Sequence, residues 1–154
     1  MDSTEVAGFV IAWAREVLPD LASDYDFIPA GKSADLPDIV ADIAREGVVR
    51  EDPRFPLIAV QQAALRVWKI GFSIMVESGE DDDGARTATE QLRGFANALT
   101  LSLLNDPSLG GRVPFAAPDI SFDYTAPFVE YSDGTRGREM AGEFAVAEPV
   151  VVQD

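Results

Sequence analysis

The sequence predicts an α+β fold, an antiparallel or mixed β-sheet with two main helices in the order α-β-β-β-α-β-β, forming a single domain. Three observations predict it. Apolar residues recur at spacings of three and four in two separate stretches, 6–18 and 88–103, which is the mark of helices buried on one side. Elsewhere, β-branched and aromatic residues alternate with small or polar ones at period two, as in strands that share one buried face. Proline, glycine and aspartate gather at the joins between these stretches, where chain reversals need them.

Ser3 or Thr4 can cap the first helix, and Glu5 lies in its first turn, where the helix dipole favours an anion. Val6, Val10, Trp13, Ala14, Val17 and Leu18 form its single apolar face, and Pro19-Asp20 ends it. Asp24 to Lys32 reads as a short strand ending in a turn at Ala30-Gly31. Ile39 to Val49 gives mixed signals: Ile39, Val40, Ile43 and Ala44 suit a helix, whereas Val48-Val49 and the break at Gly47 suit a strand. The strand is favoured, with a bulge or bend near Gly47. Arg50-Glu51-Asp52-Pro53-Arg54-Phe55-Pro56 is a loop, because two prolines and four charges cannot serve a ladder.

Leu57 to Glu77 holds the clearest strand. Trp68, Ile70, Phe72, Ile74 and Val76 alternate with Lys69, Gly71, Ser73, Met75 and Glu77, so the first set lines a core face. The second helix runs from about Ala85 to Asn105 with an apolar stripe of Ala88, Leu92, Phe95, Ala96, Leu99 and Leu103. Leu101 and Leu104 widen that stripe beyond what one sheet face requires, which offers them to a neighbouring subunit. Asn105-Asp106-Pro107 stops the helix. Two strands close the chain, one around Ile120 to Tyr131 and one from about Arg138 to Val151. In the last, Met140, Gly142, Phe144 and Val146 face one way, and Ala141, Glu143, Ala145 and Ala147 the other. Asp133-Gly134 and Gly137 supply the residues a hairpin turn needs, and Pro149 frays the strand or marks an edge.

The 154 residues suffice for one domain with a real core, and 47% hydrophobic with 25% charged residues is globular composition. The stretch 33–56 is expected as an extended connection and 148–154 as a tail. No apolar run approaches the roughly 18 residues of a membrane span, so no membrane partner is expected. The acidic start, Met1-Asp2-Ser3-Thr4-Glu5, lacks the positive region of a secretory signal, and the product is expected in the cytoplasm of its host.

The chain contains no cysteine and no histidine, which removes Ser-His-Asp and Cys-His catalysis and Cys-based zinc sites. A carboxylate enzyme remains conceivable on composition. The 27 acidic residues make a pair about 5–10 Å apart inevitable by chance, and no motif selects one. The net charge of -15, with only Lys32 and Lys69 as lysines and scattered arginines, argues against gripping nucleic acid, which needs clustered cations. Two uses remain: a wall that DNA slides past without sticking, or plain solubility.

Two motifs fall short. Gly31-Lys32-Ser33 resembles the end of a phosphate loop, but Asp26 stands where a glycine is needed and Ala34-Asp35-Leu36-Pro37 follows in place of a helix. In the acidic loop 79–84, Asp81, Asp83, Gly84 and Glu90 fit later calcium-loop positions, but Gly79 occupies the first, where aspartate is required. A solvated acidic turn preceding a helix explains the same residues. No catalytic, cofactor-binding or metal-ligating residue is therefore expected, and no cofactor.

In its order of elements the chain resembles the tail terminator proteins of long-tailed phages. The resemblance covers nearly the whole length. Its sharpest piece is the helix exit Leu103-Leu104-Asn105-Asp106-Pro107-Ser108-Leu109-Gly110-Gly111-Arg112-Val113, followed by the long hairpin ending in Phe144-Ala145-Val146. Asp35-Leu36-Pro37 before an extended segment, and Asp52-Pro53-Arg54-Phe55-Pro56 before the central strand, also fit. The resemblance implies a structural virion protein and no enzyme. It implies a homohexameric ring at the head-proximal end of the tail tube, which halts tube polymerisation and offers a surface to the neck or head-completion protein. The tube protein and the neck would be its partners, and genomic DNA would only pass through the lumen. Three other readings compete: a neck, connector or tail tube protein; an acidic mimic of nucleic acid that blocks a DNA-binding enzyme; and the carboxylate enzyme.

Overall fold

The clearest period-two run in the sequence becomes the strand on which the sheet is built. In the computed structural model, which describes residues 1–19, 21, 37–50, 52–55, 63–78, 82–124, 128–130 and 136–151, the order is α1 (Ser3–Val17), β1 (Asp38–Val49), β2 (Ala63–Glu77), α2 (Asp82–Asn105), β3 (Phe115–Ala116), β4 (Ser121–Asp123), β5 (Val129–Glu130) and β6 (Arg136–Val151). The fold is α+β: an antiparallel sheet with both helices packed on one face. The strands run β1-β2-β6, and β3, β4 and β5 take successive stretches of the far edge of β6.

Period two sets the layers. Trp68, Ile70, Phe72, Ile74 and Val76 of β2 lie with Met140, Phe144 and Val146 of β6 under the helices. α1 contributes Val6, Val10, Ile11, Trp13 and Ala14, while α2 contributes Ala88, Leu92, Phe95, Ala96, Leu99 and Leu103, so the stripe expected of α2 is buried in full. Trp13 ties the helices together: its Nε1 donates to Ser102 Oγ at 3.0 Å and its ring lies 5.7 Å from Phe144. A smaller core of Phe55, Leu65, Val67, Ala117, Ala145 and Ala147, edged by Phe115, occupies one end of the opposite face.

Several expectations are corrected. Asp2, one residue before Ser3, caps α1; its Oδ1 accepts the Glu5 N–H at 2.8 Å, leaving Ser3 free to donate to Glu46 Oε2 at 2.6 Å. The irregularity in β1 lies at Ala44, not near Gly47. Ile43 pairs with Ile70 and Arg45 with Lys69, so Ala44 is the extra residue, while Gly47 pairs normally with Val67. The bulge reverses the facing of everything after it. Glu46 is thereby delivered to the side of α1, and Arg45 to the outer face.

Of the single strand expected over Ile120 to Tyr131, the described residues form two short pieces, β4 and β5, and an unexpected β3 precedes them, set off by Pro118, which cannot donate to the ladder that β6 offers. Asp82, before the expected start at Ala85, opens α2. β1 lies within the 33–56 stretch, and β6 continues through Pro149 to Val151. The strand expected over Asp24 to Lys32, the Gly31-Lys32-Ser33 motif and the Asp133-Gly134 turn lie outside the described residues. Among the described residues, no helix is long and apolar enough to cross a membrane.

Candidate interaction surface

Because both helices cover one face, the other face of the sheet carries whatever the strands point away from them. Small and polar side chains prevail there. Val40, Asp42, Gly71, Ser73, Ala141 and Glu143 share this face by register, and together with Ala44 they line an open trough of about 750 Å³. Between the trough and the small core, Lys69 Nζ lies 3.1 Å from Glu143 Oε1 across β2 and β6. Beside it, Arg54 closes on Asp52 at 2.6 Å. The Arg54 guanidinium holds the Asp52 carboxyl below the ordinary carboxylate range, chiefly through its side-chain hydrogen bond, and is itself held further into the charged form. This pair fixes a turn: Arg54 N–H also reaches Asp52 Oδ1 at 2.9 Å, and Phe55 N–H reaches Asp52 O, seating the Phe55 ring on the small core.

Three groups of large apolar side chains are exposed among the described residues. Among the described residues β1 pairs with β2 alone. Val48 and Val49 at its end are 56% and 40% exposed. On α2, Leu101 and Leu104, three residues apart on the surface turned from the core, are 60% and 57% exposed. The surplus read in the sequence is thus real surface. At the opposite end, the Phe128 ring lies between Arg136 and Arg138, 5.3 and 5.0 Å from their guanidinium carbons, and Arg93 sits over Tyr124. Burial pushes the Tyr124 hydroxyl up, with Arg93 opposing.

The helix exit that anchors the family resemblance is a built cap. Asp106 Oδ1 accepts from Ser108 N–H and Oγ–H at 3.0 and 2.5 Å, and its Oδ2 accepts from Gly110 N–H at 3.0 Å. Ser108, first through its hydroxyl, therefore holds the Asp106 carboxyl below its ordinary value. The loop closes through three consecutive left-handed residues: Leu109 at φ 54°, Gly110 at 71° and Gly111 at 82°. A left-handed leucine costs on the order of 1–2 kcal/mol. Full burial of its side chain in the main core offsets that cost. Arg112 then reaches back to Glu16 of α1 at 2.7 Å, locking the exit to the first helix.

Sequence reasoning selected no catalytic or metal-binding residues. Among the described residues no group of three His, Cys, Asp or Glu could hold a metal. Asp83 of the acidic loop pairs with Arg86 at 2.8 Å on the first turn of α2; residues 79–81 lie outside the described residues. The carboxylates with shifted acidity, Asp52 and Asp106, are both committed to turns. What the described residues offer is an exposed leucine pair and a small-residue face. A bulge in β1 was expected near Gly47, and nothing local marked Ala44 as its place. The chain matches no model of a known protein family and no curated protein. The chain is an α+β sheet protein with both helices on one face, and among the described residues the opposite face carries the trough and the small core.

Proposed function

We propose that the chain is a structural assembly protein of a long-tailed phage, a tail terminator that closes into a homohexameric ring at the head-proximal end of the tail tube. In this role it halts tube polymerisation, presents a surface to the neck, and lets genomic DNA pass through an acidic lumen without adhesion. The observation that carries the reading is the exposed Leu101–Leu104 pair on a helix whose core stripe is already complete, directly preceding the Asp106-caged exit of the resemblance. Two large apolar side chains at adjacent turns add nothing to this chain's own core, and a ring needs such a patch to meet a different surface on the next copy. The charge of -15 suits a passage for phosphates.

The test is light scattering and negative-stain microscopy of the purified chain, alone and with a tail tube protein. A ring of six copies, formed alone or on tube ends and blocking further growth, is the expected result. Leu101→Ser with Leu104→Ser should abolish the ring while leaving the unfolding midpoint within about 0.5 kcal/mol of the parent, as for exposed sites. Unlimited filaments of the chain alone would assign it instead to the tube, and turnover of a substrate would end the reading.

A further inference from the structure

The bulge at Ala44 sets two cations against each other. Arg45, turned to the outer face, stands directly opposite Lys69 of β2. Side chains so placed have Cβ atoms about 4.5–5.5 Å apart, where like charges repel. Arg54 joins them from the turn that Asp52 fixes. With Asp52, Gly47 and Val67, the three cations line a hollow of about 320 Å³ on the outer face of the sheet. Gly47 pairs with Val67 in the row after Arg45 and Lys69, and a Cβ added at this glycine would meet nothing within 4 Å, so the space above it is empty. Basic residues that lie scattered along the sequence are thereby gathered in the fold. In a chain of 27 acidic and 12 basic residues, three of the basic ones around one hollow reverse the local sign of charge.

We propose that this hollow binds a phosphate group, free or at the end of a small ester, between the guanidinium groups of Arg45 and Arg54 and the ammonium of Lys69. Guanidinium N–H groups match the spacing of phosphate oxygens, and a lysine adds a point charge. Two of the three cations are already held in place. Arg54 spends its Nε and Nη2 on Asp52, which leaves Nη1 for a ligand, and its guanidinium carbon lies 5.8 Å from the centre of the Phe55 ring. Glu143 steadies Lys69 at 3.1 Å. Glu143 and Asp119 line a separate, smaller hollow with Arg54 and Lys69, so among the described residues Asp52 is the one carboxylate lining the first. A bound anion also relieves the opposition of Arg45 and Lys69, which otherwise stands as a cost in the fold. Three cations around one hollow suit a single phosphate; a duplex needs a row of them. The site uses neither the leucine pair nor ring closure, so it stands independently of the ring reading.

Inorganic phosphate titrated into the purified chain, in chloride of matched ionic strength, tests the site by calorimetry and by the 31P line. One phosphate should bind per chain, more weakly as sodium chloride is raised. Arg45→Ala and Lys69→Ala should each weaken binding about tenfold. Arg86→Ala, which removes a cation on α2, should leave it within about twofold of the parent. Arg45 is exposed, and its loss relieves the repulsion of Lys69. Without phosphate, therefore, Arg45→Ala should unfold at the parent's midpoint or above it, and phosphate should raise the parent's midpoint further than the variant's. A nucleoside monophosphate should displace the inorganic ion, and the tighter binder of the two tells whether the ester or the free ion is the natural source. A parent that takes up no phosphate overturns the proposal. So does an Arg45→Ala protein that binds as the parent does, or an Arg86→Ala protein weakened as much as Arg45→Ala, which would reduce the effect to overall charge.

Discussion

Gly142 of β6 stands between Phe72 of β2 and Phe122 of β4 in one cross-strand row. The two rings meet over the glycine, 6.0 Å apart and nearly perpendicular, and Phe72 also packs on Phe144 at 6.2 Å. A Cβ at position 142 would lie 2.2 Å from Phe72 Cζ and 2.6 and 2.7 Å from Cε2 and Cε1. The ring cannot swing clear, being buried and hemmed by Phe122 and Phe144. Gly142→Ala should therefore overpack the core at a cost of about 1–3 kcal/mol. The lower freedom of alanine in the unfolded chain returns about 0.4–1 kcal/mol. The net loss, about 1–2 kcal/mol, should lower the melting temperature by about 2–8 °C for a chain of this length. Urea unfolding followed by the fluorescence of the buried Trp13 and Trp68 reads it. Phe72→Ala alone should cost about 3–5 kcal/mol. On that background the overpacking vanishes and Gly142→Ala should instead gain about 0.4–1 kcal/mol, a coupling of about 1–3 kcal/mol. A Gly142→Ala protein as stable as its parent, or costs that simply add in the double variant, would refute the steric argument.

Two further outcomes follow from the same geometry. Asp106 has a folded pKa below its unfolded value, so its contribution is present above about pH 4 and fades as the pH falls through the depressed folded value. Asp106→Asn should be less stable than the parent at neutral pH, and the gap between their melting temperatures should close on acidification; a gap constant with pH would discount the carboxylate cage. Phe55→Ala, which empties the centre of the small core, should cost about 3–5 kcal/mol by denaturant midpoint, and a loss below about 1 kcal/mol would mean that this face is not a true core.

How much of this could be read in advance depended on how local each cause was. The faces of α1, α2, β2 and β6 follow from periodicity within one segment, and Ala88 to Leu103 or Met140 to Val146 declare theirs without reference to anything distant. The cap at Asp2 escaped because Asp2, Ser3 and Thr4 are all competent caps, and the choice depended on Ser3 engaging Glu46, 43 residues away. The bulge at Ala44 escaped for the same kind of reason: glycine marks where a bulge is cheap, while the need to hand Glu46 to α1 and Arg45 outward decides where it occurs. The return limb was read as starting at Ile120, and β3 escaped because it is only the two residues Phe115–Ala116 ahead of Pro118, too short for a period to show. Of the contact surface, Leu101 and Leu104 were legible as a surplus on one helix.

β6 touches every part of the sheet except β1, pairing with β2 along one side and with β3, β4 and β5 along the other. It also comes after all of them in the chain. During synthesis, then, the helices and the β1–β2 hairpin leave the ribosome before the strand that must divide β2 from the three short pieces. Until it arrives, the aromatic side of β2 waits without its neighbour, so these partners must stay open long enough to admit a latecomer. Folding should be slow, with the greatest risk of misassociation in that interval.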